Sequence, residues 1–469
     1  MKAIISALAL IIITTGCTVS PPLTRDGLLV TAPDRYNLPS PGPEAGPEWW
    51  TAFESPGMNQ AIEAALEHNR DLVAAAARVE QAAAAARIAG ANLKPSVSAG
   101  LSGSRRKQNF IGFPIPGADG DILSSTSTNL GVSLDISWEV DLWGRMKAGA
   151  RAAVSELKAA EADLAGARLS IAGQTAKAWL ALAEAVQQVD LAKQTVASFR
   201  ESESIVRHRY ENGLAPSLDL RLQKTNLANA EAFLANRRIG LELSARQLEV
   251  LMGRYPGGET EDGASLPEPP QTIPGGLPAD LVSRRPDLVA AEFRLNAAGY
   301  RFDSARRSLY PRLVLTGSGG SSSQEFKDLL DGDFSVWSLA AGLTQPLFQG
   351  GRLRAGVDQA RSASDEILAR YAGAVLGAYL EVETALASEQ HLAARQAALA
   401  EASRQSTAAR LLAEDRYRSG LTPFITVLES QRQSVQSESD LITARQQLLN
   451  NRIDLVLALG GGYRQEIEP

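Results

Sequence analysis

An internal duplication constrains the fold of this 469-residue chain more than any other feature. The segment 69–95 matches the segment 285–311 at an offset of 216 residues. Farther along, the offset is 207 residues throughout, and the matched pairs are Arg145 with Arg352, Gly149 with Gly356, Arg209 with Arg416, Tyr210 with Tyr417, Gly213 with Gly420, Pro216 with Pro423, and Gly253 with Gly460. A constant offset over so long a stretch indicates two copies of one structural unit. The change of offset between residues 95 and 145 predicts a longer loop in the first copy.

Each copy contains two segments in which apolar residues alternate with small or polar ones. Between residues 130 and 141 every even position is apolar, and every odd position is small, polar or acidic. Weaker alternation marks 97–102, 312–316 and 337–343. This period indicates strands with one apolar face. We predict four strands of about ten residues, the length that a tilted membrane strand needs. A half-buried soluble sheet is the alternative.

Four strands are too few to close a barrel, and lipid does not tolerate an open sheet edge. Several chains would therefore have to share one barrel. Small membrane barrels have at least about eight strands, so either two or three copies of the chain would suffice. If the odd-numbered face of the strand near 130–141 lines the bore, Asp135, Glu139 and Asp141 predict a preference for cations.

Two proline-free stretches, 145–211 and 352–418, are long enough for helices of roughly 100 Å. Each is followed by a short turn and a second helix, near 217–252 and 424–459. Leucine recurs every seventh residue from 220 to 248, which indicates coiled-coil packing. A purely structural coiled coil would leave the four strands unexplained. Gly166 and Gly373 lie mid-helix and predict a bend or a close approach.

The helical pairs are joined by the turns RYENGLAPSLDL (209–220) and RYRSGLTPFITVL (416–428). Gly213 and Gly420 fit left-handed helix C-caps, and Pro216 and Pro423 stand where a new helix begins. Turn geometry does not explain why an Arg-Tyr pair occurs in both copies.

The N-terminus has the features of a secretory signal. Lys2 precedes an apolar run that ends at Ile13 and is too short to span a bilayer. Thr14-Thr15-Gly16-Cys17 resembles a lipobox, although Thr14 stands where leucine is usual. Cys17 is the only cysteine. The resemblance to the lipobox of bacterial lipoproteins implies that Cys17 carries a diacylglycerol and an N-acyl chain, and that the absence of Asp after it directs the protein to the outer membrane.

An enzyme is not indicated. The three histidines are scattered, and no metal-ligand spacing, phosphate loop or nucleophile motif is present. We therefore predict no catalytic residue, no metal and no cofactor other than the lipid. The net charge of -6 shows no basic face for nucleic acid.

Taken together, several motifs resemble one family. They are EWWTAF (48–53), HNRDLVAAAARVEQA (68–82), DLWGR (141–145), LPADLVSRRPDLVAAE (277–292) and RYRSGLTPFITVLESQR (416–432). The chain resembles the TolC-like outer-membrane efflux factors, in the OprM- or NodT-like lipoprotein branch that serves RND-type tripartite efflux systems. The resemblance covers nearly the whole chain.

The resemblance implies a mainly α-helical fold with a transmembrane β portion. Three chains would form a homotrimer with a shared 12-stranded barrel, continued through the periplasm by a coiled-coil helical barrel. The turns would form the periplasmic tip, which meets a periplasmic adaptor protein and, through it, an inner-membrane RND pump. The implied function is small-molecule efflux, and a type I protein-secretion channel is the alternative.

The predicted organisation has six parts. They are a signal peptide (1–16), a lipidated tether (17–48), the first efflux repeat (49–253), an equatorial linker (254–276), the second repeat (277–460) and a C-terminal tail (461–469).

The resemblance also implies roles at the tip. Asp219 and Glu429 would face the bore at the aperture, while Thr426 takes a place that is often acidic in relatives. The residues predicted to hold the tip closed or to contact the adaptor are Arg209, Tyr210, Gly213, Arg416, Tyr417 and Gly420. Substituting Arg416 is expected to raise the uptake of bulky antibiotics. The Arg284–Asp287 motif, by contrast, is predicted to be structural, because Pro at the first helical position and Asp in the first turn favour a helix start.

Overall fold

A computed structural model describes residue 36 and residues 46–110, 123–259, 264–270 and 281–463. The predicted signal peptide, Cys17, most of the tether and part of the linker lie outside the described residues. The helices longer than ten residues are α1 (Pro56–His68), α2 (Arg70–Ala91), α3 (Arg145–Glu211), α4 (Ser217–Leu251), α5 (Pro286–Arg307), α6 (Arg352–Arg418) and α7 (Phe424–Ala458), and a one-turn helix (Leu281–Arg284) precedes α5. The strands are β1 (Ser96–Phe110), β2 (Leu123–Val140), β3 (Arg312–Ser323) and β4 (Ser335–Thr344).

The duplication is visible in the helix lengths. Helices α2 and α5 both have 22 residues, α3 and α6 both have 67, and α4 and α7 both have 35. The predicted bounds of the two long helices are confirmed. Helices α4 and α7 each end one residue earlier than predicted. The six-part organisation itself remains a prediction.

The chain divides into two compact units, each drawn from both copies. One contains residues 81–157 and 293–369, and therefore all four strands. The other contains the described residues within 28–80, 158–292 and 370–469, and therefore both helical turns. In the described part of the chain, no α-helix is long and apolar enough to cross a membrane.

The four predicted strands are confirmed as one antiparallel sheet in the order β1-β2-β3-β4. The predicted length of about ten residues is wrong for β1, which has 15 residues, and for β2, which has 18. Their far ends pair with each other as far as Phe110 with Leu123, well beyond the last β2–β3 pair, Leu130 with Ser323. Much of the extra length of the first copy therefore forms strand.

The unit that contains both helical turns, called the second unit below, has an apolar core between its helices. Met58, Ile62, Leu180 and Leu449 are fully buried within it. The EWWTAF segment forms a 3-10 helix, Trp49–Phe53, whose aromatic rings join this core. The leucines of the seven-residue repeat all pack into apolar clusters, which confirms the predicted coiled-coil face; they are Leu220, Leu227, Leu234, Leu241 and Leu248.

The glycines with the closest backbone contacts lie at helix ends and not in mid-helix. A Cβ built at Gly373 meets nothing within 4 Å, and one at Gly166 makes only ordinary contact with Pro286 at 3.5 Å. The predicted close approach is therefore wrong for Gly373 within one chain. Gly253 and Gly460, at the ends of α4 and α7, lie so close to a backbone carbonyl that no side chain fits there.

Candidate channel surfaces: the strand faces and the helix turns

One face of the sheet is apolar across all four strands. The register pairs Leu101 with Val132, and Leu313 with Leu343, so that apolar residues meet on one side. A Cβ built at Gly103 would lie 3.3 Å from the side chain of Leu130, which places the odd residues of β1 on this side. The exposed apolar residues of this face are Val97, Leu101, Val132, Leu134, Ile136, Trp337, Leu339 and Leu343. A monomeric soluble protein rarely exposes so continuous an apolar surface.

Aromatic residues lie where the sheet meets the helices. The indole N–H of Trp138 donates to the carbonyl of Leu93 at 3.0 Å, and that of Trp143 donates to the carbonyl of Pro311 at 2.8 Å. The rings of Trp143 and Tyr310 are 5.3 Å apart. Tryptophan and tyrosine concentrate at the boundary between lipid and water, where one end of the ring is apolar and the other is wet.

The opposite face of the sheet is polar, but the predicted acidic lining is only partly present. Asp135 lies on this face and accepts a hydrogen bond from the Ser133 hydroxyl at 2.8 Å. Glu139 forms an ion pair with Arg145 at 2.7 Å. Asp141 lies beyond the end of β2, and its carboxylate accepts from the backbone N–H of Lys147 at 2.7 Å. The predicted place of Asp141 on the strand is therefore wrong, because its side chain caps α3, and the preference for cations remains a prediction.

In the second unit, both turns contain the predicted left-handed glycines. Gly213 has φ of 71° and Gly420 has φ of 75°. The backbone N–H of Leu214 donates to the carbonyl of Arg209, and that of Leu421 donates to the carbonyl of Arg416, both at 2.8 Å. This is the six-to-one hydrogen bond of a Schellman motif, and it ends α3 and α6 at matched positions.

The Arg-Tyr pairs interact across the two copies. The Arg209 guanidinium lies 4.9 Å from the centre of the Tyr417 ring. It also donates to the carbonyls of Tyr417 at 3.3 Å and Arg418 at 3.4 Å. A cation over an aromatic ring and beside the last carbonyls of a helix is attracted by both. Arg209 therefore connects the end of α3 to the end of α6.

Of the four residues in the two Arg-Tyr pairs, only Tyr417 is buried. The Tyr417 ring packs against Phe424 with 5.2 Å between ring centres, and it joins an apolar cluster with Val206 and Val427. Burial raises the pKa of the Tyr417 phenol. The side chains of Tyr210 and Arg416 are exposed. All four residues are predicted at the tip from the matched turns, but nothing in the sequence indicates that Arg209 contacts Tyr417.

The predicted aperture acids lie just beyond the turns. Asp219 is in the first turn of α4 and is half-buried, and Glu429 in α7 is exposed. Burial raises the pKa of Asp219, and the positive charge of Arg209 opposes this rise. Because the pKa is raised in the fold, ionisation of Asp219 lowers the stability of this conformation relative to the unfolded chain as the pH rises above the ordinary aspartate range. The charge of Asp219 therefore does not stabilise the fold of the tip at neutral pH. The aperture role of both acids remains a prediction.

The contacts of Arg285 agree with the structural reading of its motif. Pro286 is the first residue of α5. The Arg285 guanidinium pairs with Asp287 at 2.8 Å and with Glu381 at 2.5 Å, and it donates to the carbonyl of Ala458 at 3.2 Å. Burial alone would raise the pKa of Asp287, but the hydrogen bonds and charge of Arg285 lower it. The motif thus joins α5, α6 and α7. Within the ranges described, no group of three or more His, Cys, Asp or Glu could hold a metal ion.

Comparison with known proteins gives a family for this arrangement. The sequence profile of the outer membrane efflux proteins matches residues 61–254 and 277–461. The chain is 32% identical over 433 residues to the pyoverdine export outer membrane protein OpmQ of Pseudomonas putida, covering 89% of this chain and 88% of OpmQ. It is 29% identical over 476 residues to the toluene efflux pump outer membrane protein TtgF of the same species, covering 99% and 98%.

A solved channel has the same fold. The CmeC outer membrane channel of Campylobacter jejuni superposes with a TM-score of 0.89 at 24% identity, over 96% of each chain. The four-stranded sheet, joined to duplicated long helical pairs, is thus the TolC-like fold. The profile match and the OpmQ alignment together show that the chain belongs to the outer membrane efflux protein family, among the OprM-like outer-membrane factors of efflux pumps.

Proposed function

We propose that this protein works as a lipid-anchored homotrimer, the outer-membrane exit channel of a tripartite pump that exports small molecules. The observation that carries the proposal is the sheet with one exposed apolar face. Its order leaves β1 and β4 as open edges within one chain. Lipid requires those edges to be paired, which β1 of one copy and β4 of the next would do. Three copies then give twelve strands.

The turns supply a docking surface for a periplasmic adaptor. Leu214 and Leu421 occupy matched positions and expose 68% and 77% of their surfaces. Leu218 and Ile425 are also matched and exposed. Exposed apolar residues repeated at both turns suit a partner that contacts every hairpin in the same way. An inner-membrane RND pump would then deliver cargo through that adaptor.

The named cargoes of the two relatives are pyoverdine and toluene, neither of which is a protein. They support efflux over type I protein secretion. The test is deletion of the protein from its source bacterium, with restoration from a plasmid. We expect the deletion strain to accumulate small dyes and to become sensitive to solvents or antibiotics, while its secreted proteins are unchanged. Loss of one large secreted protein, with unchanged susceptibility, would establish the secretion alternative instead.

Lipidation of Cys17 can be tested by itself. We expect mass spectrometry of the mature protein to begin at Cys17 with three acyl chains, because the diacylglycerol carries two and the amine one. The variant Cys17→Ala should lack this added mass, while the sheet still inserts. An unmodified thiol at Cys17 in the mature wild-type protein would refute the lipid anchor and leave the channel proposal standing.

The aperture acids give a second prediction. Asp219→Ala combined with Glu429→Ala is expected to widen the resting aperture and to raise single-channel conductance in planar bilayers. Because the charge of Asp219 does not stabilise the tip, thermal stability should not fall, so a change in conductance would report on the bore alone. The variant Thr426→Ala, at the position matched to Asp219, is the control. Equal conductance of wild type and the double variant would contradict the aperture role.

A further inference from the structure

The far end of the β1–β2 hairpin is strongly basic. Beyond the pair Gly103 with Leu130, the two strands continue as Ser104–Phe110 against Leu123–Asn129. These paired segments contain Arg105, Arg106 and Lys107, all exposed, and neither segment contains Asp or Glu. Within these two paired segments, no acidic side chain balances the three cations.

The register divides these cations between the two faces. Arg105 pairs with Thr128 and Lys107 with Thr126. These odd-numbered positions of β1 lie on the same face as Leu101 and the other exposed apolar residues. Arg106 lies between them and therefore points to the polar face. Arg105 and Lys107 thus extend the apolar face toward the hairpin end, whereas Arg106 lies on the opposite face.

The spacing places these two cations at a definite depth. Arg105 and Lys107 lie two and four residues beyond Gly103, which is about 7 and 14 Å along a strand. With a strand tilt of about 40°, this corresponds to roughly 5 and 10 Å above the end of the apolar band. The headgroup layer of a bilayer is about 5–8 Å thick on each side, so Arg105 lies within it, and Lys107 lies just above it, within reach of its long side chain.

The hairpin end is opposite the end where the sheet joins the helices, since β1 follows α2 and β2 precedes α3. In the proposed channel the helices are periplasmic, so the hairpin end faces the outer leaflet. We propose that Arg105 and Lys107 bind the phosphate groups of lipid A in that leaflet. The guanidinium can hold a phosphate through two hydrogen bonds, and the ammonium adds a point charge. This inference rests on the outer-membrane placement in the proposed function.

The test uses the intact trimer in nanodiscs and native mass spectrometry with two probes, bis-phosphorylated lipid A and its dephosphorylated form. Each cation near an anionic surface contributes the equivalent of about a fivefold change in affinity. We therefore expect Arg105→Gln with Lys107→Gln to bind bis-phosphorylated lipid A roughly thirtyfold more weakly than wild type. Arg106→Gln, which removes the neighbouring cation from the other face, should bind like wild type.

Three results would overturn the proposal. They are equal binding of both forms of lipid A by the wild type, unchanged binding by the double variant, and displacement of lipid A by millimolar inorganic phosphate, which would indicate a site for free phosphate. Conductance of the same preparations distinguishes failure of the lipid A contact from failure of the proposed channel function. A conducting channel without phosphate preference refutes only the lipid contact, whereas a protein that forms no channel refutes the proposed function and the contact with it.

Discussion

Replacing Arg209 with alanine is expected to shift the opening equilibrium of each chain in the channel by roughly tenfold. The guanidinium rests on the Tyr417 ring at 4.9 Å and donates to two carbonyls at the end of α6. A partly exposed cation–π contact and two long hydrogen bonds are together worth about 1–2 kcal/mol. In the proposed channel, opening separates the two hairpins of each chain and breaks this contact. A loss of about 1.4 kcal/mol from the closed state changes the equilibrium tenfold.

The measurement is single-channel recording in planar bilayers, supported by susceptibility to an antibiotic too bulky to cross the outer membrane unaided. Tyr417→Phe is the matched control. Its hydroxyl is buried without a hydrogen-bond partner among the described residues, so its removal leaves the ring and the cation–π contact intact. If Arg209→Ala and Tyr417→Phe both behave like wild type, the pairing of these two residues does not hold the tip closed.

The second large effect concerns stability. Gly460→Ala is expected to destabilise the protein by about 3 kcal/mol and to lower its unfolding midpoint by roughly 5 °C. Gly460 has φ of 92°, and an added Cβ would lie 2.2 Å from the carbonyl oxygen of Arg284. An L-residue in a left-handed conformation costs about 1–2 kcal/mol, and moving the backbone away from the clash costs about as much again.

Gly253 repeats this geometry in the first copy, with φ of 71° and an added Cβ 2.4 Å from the carbonyl oxygen of His68. Gly253→Ala should therefore have a similar effect. The control is Gly240→Ala in α4, where an added Cβ meets nothing within 4 Å and alanine favours the helix by about 1 kcal/mol. Thermal unfolding followed by far-ultraviolet circular dichroism compares the three variants. Equal midpoints for Gly460→Ala and Gly240→Ala would show that this contact is not needed for stability.

The features that sequence predicted well have local causes. The Schellman turns at Gly213 and Gly420 follow from glycine alone, since few other residues tolerate a positive φ there. The long helices follow from the absence of proline and from the seven-residue repeat. The apolar face of the sheet follows from its period of two.

The features that sequence missed depend on which segments meet. The constant offset between the two copies matches Arg209 with Arg416. In the structure, Arg209 instead lies over the ring of Tyr417. The two turns lie side by side, and only one arginine reaches the buried ring. Likewise, the constant offset matches Gly253 with Gly460 but does not indicate what either residue contacts. Their contact with the carbonyls before α2 and α5 involves residues far away in the sequence, and no local pattern reports it.

The central claim is that three copies of this chain form one conducting channel. The most direct test is planar-bilayer conductance of the detergent-extracted protein, with the mass of the particle determined in the same preparation. We expect a particle of three chains that produces discrete channel events, with larger or more frequent events for Arg209→Ala. A monomer that conducts in neither form would contradict it.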